Sequence, residues 1–121
     1  LEYLQKQGKI QLHFLGLDEK GCFKMSELEE LLKKYPNALV SLMHGNNEIG
    51  NLLDIDAVGE LCQSHGALFH SDTVQTMGHY PHHLQKTKVD FIVGTAHKFH
   101  GPKGAGFIYV REGQKIPPYI H

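Results

Sequence analysis

The sequence predicts an α/β fold with a mostly parallel sheet and a final antiparallel strand. Short apolar runs, typical of buried strands, alternate with segments that repeat apolar residues every three or four positions, as a helix does. This strand–helix–strand order is that of a parallel sheet with crossover helices. Residues 95–104 join the last two apolar runs without a helical pattern, so we expect the last strand to run antiparallel or to lie at an edge.

The first strand and the first helix are predicted before Pro36. Residues 9–17 alternate polar and apolar side chains and then become apolar, which predicts a strand near a sheet edge. After a turn at 18–21, Ser26 and Glu29 match a capping box at a helix start. Pro36 is expected to end this helix. Its apolar face is formed by Leu28, Leu31, Leu32 and Tyr35.

The middle of the chain repeats this order. Residues 38–43 are almost continuously apolar, which predicts a strand buried on both faces. Asp54 is the expected N-cap of a second helix that ends at Gly66. A short strand is predicted at 67–70. The second helix places four residues inward, namely Ile55, Val58, Leu61 and Cys62.

The last third of the chain contains two further strands. Residues 76–88 are polar and rich in histidine, and they include Pro81, so we expect a loop there. Apolar runs at 89–94 and 105–110 predict strands on either side of the glycine-rich turn at 95–104.

Composition narrows the function classes. A chain of 121 residues with 40% hydrophobic and 21% charged residues is typical of one soluble globular domain. A net charge of −1 gives no electrostatic reason to expect nucleic acid or an anionic membrane as a partner. The absence of a long apolar run and the presence of only two cysteines favour a cytoplasmic protein. The chain begins at Leu1 without a methionine, so we expect a piece of a longer protein.

Three polar clusters lie where predicted parallel strands end. In open α/β sheets, ligands bind at this edge, so we expect the three clusters to share one site. A lysine, a carboxylate and several hydrogen-bonding groups suit pyridoxal phosphate, which needs an amine for a Schiff base and an acid beside its ring nitrogen. Partial desolvation would favour the neutral, nucleophilic form of the amine. The clusters are Asn46 with Asn47, Asp72 with Gln75, and Thr95 with His97 and Lys98.

The residues alone leave other interpretations open. Lys103 lies in the same turn as Lys98, and spacing does not separate them as the reactive amine. The turn also fits a basic surface loop. Residues 101–106 match neither glycine-rich nucleotide fingerprint. Candidate metal ligands occur, but they form no HExxH or paired-cysteine pattern, so no metal site is predicted. These candidates are His79, His82, His83, His97 and His100.

Three segments carry a family resemblance. Residues 46–50, 70–75 and 97–104 resemble, in order and spacing, the large-domain signature of cysteine desulfurases, which are fold-type I, class V aminotransferase-like enzymes that use pyridoxal phosphate. The resemblance implies a partial three-layer α/β/α sandwich. It also implies that residues 1–121 are a fragment of the cofactor-binding large domain, without the N-terminal segment and the small C-terminal domain.

The resemblance also implies a role for each matching residue. Lys98 is the catalytic lysine, which forms the Schiff base with the cofactor and can then act as a proton-transfer base. Asp72 pairs with the pyridine nitrogen, and Gln75 hydrogen-bonds the phenolic oxygen. Lys103 is left as a solvated loop cation.

The remaining implied contacts involve the phosphate and the substrate. Thr95 and His97 bind the cofactor phosphate, and Asn47 lies beside the cofactor near the substrate carboxylate. The family usually has Ser-Gly-His-Lys where this chain has Thr95-Ala96-His97-Lys98. The threonine hydroxyl can still serve the phosphate, although the two extra methyl groups change the local shape.

The implied reaction converts L-cysteine to L-alanine and passes the sulfur to an enzyme cysteine outside this chain. Neither Cys22 nor Cys62 resembles that nucleophile. A homodimer, a sulfur-acceptor protein and a role in iron–sulfur cluster assembly are further expectations from the resemblance. The alternatives are another class V enzyme, such as a selenocysteine lyase or an aminotransferase, or an inert domain fragment.

Overall fold

The computed structural model of the protein describes residues 1–117; the last residues of the chain, 118–121, lie outside the described part. Within it, no helix is long and apolar enough to cross a membrane. The elements in chain order are α1 (Glu2–Lys6), α2 (Met25–Lys34), β1 (Leu39–Met43), α3 (Ile55–Ser64), β2 (Leu68–Asp72), β3 (Phe91–Thr95), a short 3₁₀ helix (Ala96–Phe99) and β4 (Gly106–Val110).

The four strands form one mixed sheet in the order β1-β2-β3-β4. β1 and β2 run parallel, β2 and β3 run parallel, and β4 runs antiparallel to β3. This arrangement confirms the predicted α/β class and the predicted antiparallel direction of the last strand. A parallel pair needs a crossover, and α3 supplies the one between β1 and β2.

Helices α2 and α3 pack on one face of the sheet. The strand register brings Val40 opposite Phe69, and both are buried against the helices together with Ile92 of β3. Apolar side chains of the two helices complete this core, because burial of apolar area is the main stabilising contribution to the fold. The buried hydrophobic residues are Leu28, Leu32, Val40, Val58, Cys62, Ala67, Phe69, Val89 and Ile92.

The other face of the sheet is uncovered within residues 1–117. Leu39 is 60% exposed, Met43 is 36% exposed and Ile108 is 53% exposed. The prediction that residues 38–43 are buried on both faces is therefore wrong for the described part of the chain. Residues 38–43 do contain a strand, but within the described part of the chain β1 lies at the edge of the sheet. Only one of its faces packs against a helix.

The predicted start of α3 is confirmed, whereas the predicted start of α2 is wrong. The Asp54 side chain accepts a hydrogen bond of 3.0 Å from the Ala57 amide, as expected for an N-cap. The capping box predicted for α2 is wrong, because Lys24 is the N-cap. Ser26 already lies within the helix, and Glu29 forms an ion pair of 2.6 Å with Lys33 instead.

The strand predicted at 9–17 is also absent. These residues lack regular structure apart from one isolated bridge between Leu17 and Phe23. A strand needs a partner for its backbone groups, and no described strand lies beside this segment. The short helix α1 was not predicted, and it has no buried residue that a sequence pattern could reveal.

Candidate cofactor site

The carboxyl ends of β1, β2 and β3 meet at one edge of the sheet. Asp72 is the last residue of β2 and Thr95 is the last residue of β3. The loop after β1 begins at His44, whose amide donates a hydrogen bond of 2.8 Å to the Asp72 carbonyl. The three predicted clusters therefore begin at neighbouring strand ends.

Asp72 lies on the sheet face away from the helices. Its register partners are Met43 on β1 and Val93 on β3, and its side chain is half-buried. One carboxylate oxygen, Oδ1, accepts a hydrogen bond of 2.9 Å from the Val74 amide. The other oxygen makes no hydrogen bond within residues 1–117, so it can accept one from a ligand.

Lys98 is exposed on the 3₁₀ helix that directly follows β3. The chain turns back sharply after this helix: His100 has φ +67°, and a Cβ at Gly101 would lie 2.6 Å from the Ala96 Cβ. Glycine is therefore required at 101 for the turn to close. The tight turn presents the lysine amine beyond the end of the strand.

Thr95 and His97 are the two predicted site residues that contact each other directly. His97 Nδ1 lies 2.9 Å from Thr95 Oγ1. The Thr95 hydroxyl also donates to the Ala105 carbonyl at 3.2 Å, so the contact is satisfied when His97 Nδ1–H donates to Thr95. The other ring nitrogen of His97 then accepts from a ligand donor when the ring is neutral, and donates to a ligand oxygen when the ring carries both protons.

Asn47 and Gln75 lie on the two neighbouring turns. Asn46 builds the first turn by accepting hydrogen bonds from the amides of Glu48 and Ile49, at 2.8 and 3.0 Å. Asn47 is exposed and donates 2.7 Å to the Glu48 carboxylate. Gln75 is half-buried and its amide makes no hydrogen bond within residues 1–117. Both side chains are available to a ligand.

The donor set at this edge fits pyridoxal phosphate. Lys98 offers a primary amine and Asp72 a carboxylate with one free oxygen. His97 with both ring nitrogens protonated offers an N–H for phosphate oxygens, the Thr95 hydroxyl can do so when it turns away from the Ala105 carbonyl, and Gln75 offers an amide. The carbonyl group, the ring nitrogen and the phosphate of pyridoxal phosphate need these kinds of partner.

The sequence prediction missed the role of His44 and Thr76. His44 is buried, and its Nδ1 lies 2.8 Å from the Thr76 hydroxyl, next to Gln75. Burial and the neighbouring His82 lower the pKa of His44, and burial also lowers the pKa of His82. The sequence signal that could have indicated a role for His44 is its position directly after the apolar strand β1.

The two cysteines differ in their surroundings. Cys22 is exposed, whereas Cys62 is buried in the core. Burial, with a smaller contribution from Asp90, raises the pKa of the Cys62 thiol to about 11. This thiol is therefore not a nucleophile at neutral pH. Within residues 1–117, no three histidine, cysteine or acidic side chains are grouped as metal ligands would be.

Comparison with known proteins identifies the family. The aminotransferase class V family matches residues 1–120. Cysteine desulfurase IscS from Dictyoglomus turgidum is 40% identical over 119 residues, which cover 98% of this chain and 30% of that protein. The chain thus spans about 30% of the length of the curated relatives that it matches.

Solved structures agree with this similarity. A NifS-like protein is 39% identical with a TM-score of 0.88, and the match covers 99% of this chain and 33% of that one. A structure described as SspA in complex with cysteine is 28% identical with a TM-score of 0.90, covering 99% of this chain and 35% of that one. These matches confirm the predicted fold class. The chain belongs to the aminotransferase class V family.

Proposed function

We propose that this chain is part of the cofactor-binding large domain of a pyridoxal-phosphate-dependent cysteine desulfurase. The observation that carries the proposal is the convergence of three strand ends. They deliver Asn47, Asp72 with Gln75, and Thr95 with His97 and Lys98 to one sheet edge. The relatives named cysteine desulfurase support the specific reaction.

Each residue has a role that follows from its position. When bound, pyridoxal phosphate supplies an electron sink for the substrate's α-carbon. Lys98 Nζ holds the cofactor and moves a proton at the reacting carbon, since it is an exposed amine on the 3₁₀ helix that directly follows β3. Asp72 keeps the ring nitrogen protonated through the carboxylate oxygen that Val74 leaves free.

The other residues bind and orient. Thr95 and His97, already paired at 2.9 Å, receive the phosphate. Gln75 donates to the phenolic oxygen, and Asn47 lies towards the substrate carboxylate.

The substrate that we propose is L-cysteine, with L-alanine as the product. A solved relative is described as a complex with cysteine, which supports this choice. We expect the sulfur to pass to a cysteine of the full-length protein outside this chain, because burial raises the pKa of the Cys62 thiol and Cys22 does not resemble the nucleophile of the family. A sulfur-acceptor protein, a homodimeric assembly and a cytoplasmic location belong to the same proposal.

An absorbance spectrum of the full-length protein purified with pyridoxal phosphate tests the cofactor. We expect a visible band that borohydride bleaches, with the label on the peptide containing Lys98. Sulfide and alanine released from added cysteine then test the reaction. A label with no sulfide, but with activity on selenocysteine or another amino acid, would favour another class V enzyme. The absence of the band would contradict the proposal.

A further inference from the structure

The backbone carbonyl of Lys98 has a side-chain partner from another turn. His79 Nε2 lies 2.9 Å from this oxygen. The carbonyls at the end of a helix have no partner within the helix and need one from elsewhere. The 3₁₀ helix Ala96–Phe99 is followed by His100 in the left-handed region, so the helix ends one residue after the lysine. His79 thus caps the end of the helix that presents Lys98.

The turn that carries His79 is held firmly in place. The Thr73 amide and hydroxyl both donate to the Val93 carbonyl on β3, at 3.1 and 2.8 Å. Thr76 is 2% exposed, its hydroxyl contacts His44, and its carbonyl accepts from the His79 amide at 3.0 Å. The His79 side chain therefore projects from an anchored backbone.

The two turns also touch through Gly78. A Cβ at this residue would lie 2.6 Å from the Phe99 Cβ, and Gly78 has φ +82°. Glycine thus allows the turn after β2 to approach the lysine turn closely enough for the His79 imidazole to reach the Lys98 carbonyl.

We propose that His79 is a positioning residue for Lys98. It acts by donating its Nε2–H to the Lys98 carbonyl, and this fixes the short helix on which the lysine amine is presented. The inference rests on the proposed function in one respect, namely that Lys98 is the cofactor-binding amine. The imidazole itself contacts backbone.

Hydrogen exchange of the full-length, cofactor-free protein tests the capping contact directly. The Gly101 amide, which donates 2.8 Å to the Ala96 carbonyl, reports on closure of the lysine turn. In His79→Leu we expect its exchange to accelerate about fivefold, the effect of losing one net hydrogen bond. His79→Gln keeps an N–H at a similar reach and should restore the slow rate. His83→Leu, an exposed histidine of the same loop, should match the unmodified protein.

Titration with pyridoxal phosphate supplies the second readout. We expect His79→Leu to bind the cofactor about fivefold more weakly and His79→Gln to bind it as the unmodified protein does. Equal exchange in His79→Leu and the unmodified protein, or failure of His79→Gln to restore slow exchange, would overturn the proposal. If borohydride fails to attach the cofactor to Lys98 in the unmodified protein, the proposed function fails, and the exchange comparison still decides the role of His79.

Discussion

The Nδ1 atom of His44 lies 2.8 Å from the Thr76 hydroxyl, and this buried contact ties the end of β1 to the turn after β2. The His82 ring packs beside them, with its centroid 5.0 Å from that of His44. Because burial lowers the pKa of both histidines, the folded protein holds them neutral at neutral pH. The contact between the loop after β1 and the turn after β2 is therefore made by an uncharged imidazole.

We expect the protein to lose stability as the pH falls below about 6.5, the ordinary histidine pKa. The unfolded chain takes up protons there more readily than the folded one, so protonation favours unfolding. Each unit by which the folded pKa is lowered contributes about 1.4 kcal/mol once both states are protonated. Asp56 partly offsets the effect by raising the pKa of His44. Thermal unfolding of the full-length protein at pH 7.5 and 5.5 measures this loss.

The matched variants for this prediction are His44→Asn and His83→Asn. Asparagine does not titrate, so His44→Asn should show a smaller drop in the thermal midpoint between the two pH values. His83 is exposed and its replacement should leave the drop unchanged. An equal drop in all three proteins would show that other groups cause the acid sensitivity.

Replacement of Lys98 should separate it from Lys103 as the reactive amine. Lys98→Ala in the full-length protein is expected to abolish the cofactor label that borohydride fixes, because it removes the amine on the 3₁₀ helix directly after β3. Lys103→Ala removes an exposed cation and should keep the label. Peptide mapping by mass spectrometry checks both, and loss of the label in Lys103→Ala alone would reverse the assignment.

Asp72→Asn isolates the charge of the carboxylate. Its Oδ1 can still accept from the Val74 amide, so the turn is expected to persist while the negative charge is lost. We expect turnover to fall roughly a thousandfold, the upper range for removing one preorganised partner of a developing charge. Some cofactor should remain bound. Asp18→Asn, at an exposed turn, is the control, and near-normal turnover in Asp72→Asn would remove Asp72 from this role.

Gly59 is a packing position in α3. A Cβ there would lie 2.8 Å from the Lys88 carbonyl oxygen, which belongs to the backbone and cannot rotate away. Gly59→Val should therefore destabilise the protein by about 2 kcal/mol. Glu60→Val, on the exposed side of the same helix, should cost less than about 0.5 kcal/mol. The thermal midpoints of the two full-length variants decide this, and equal midpoints would contradict the packing argument.

Local patterns predicted those parts of the fold that depend on nearby residues. Asp54 caps α3, and Val58 and Cys62 are buried, because the helical period alone determines which face is apolar. The segment at 9–17 and the outer face of β1 could not be predicted in this way. Whether a strand finds a pairing partner, and whether a sheet face is covered by a helix, depends on distant parts of the chain. A local sequence pattern does not contain this information.

The same distinction holds for the site. Polar residues at strand ends are visible in the sequence, and Asp72 and Thr95 do end β2 and β3. The contacts of His44 with Thr76 and of His79 with Lys98 join residues 32 and 19 positions apart, so only the folded chain reveals them. The sequence predicts a loop at 76–88 but does not show that His79 of this loop contacts the Lys98 carbonyl.

The alternation of β2 makes the site sensitive to chain length. Asp72 lies on the face away from the helices, whereas its neighbour Ser71 points into the core and is fully buried. Because side chains alternate along a strand, loss or gain of one residue within β2 would exchange the two. A carboxylate would then enter the apolar core and a hydroxyl would take its place at the ligand edge. The position of Asp72 at the ligand edge therefore depends on the number of residues in β2.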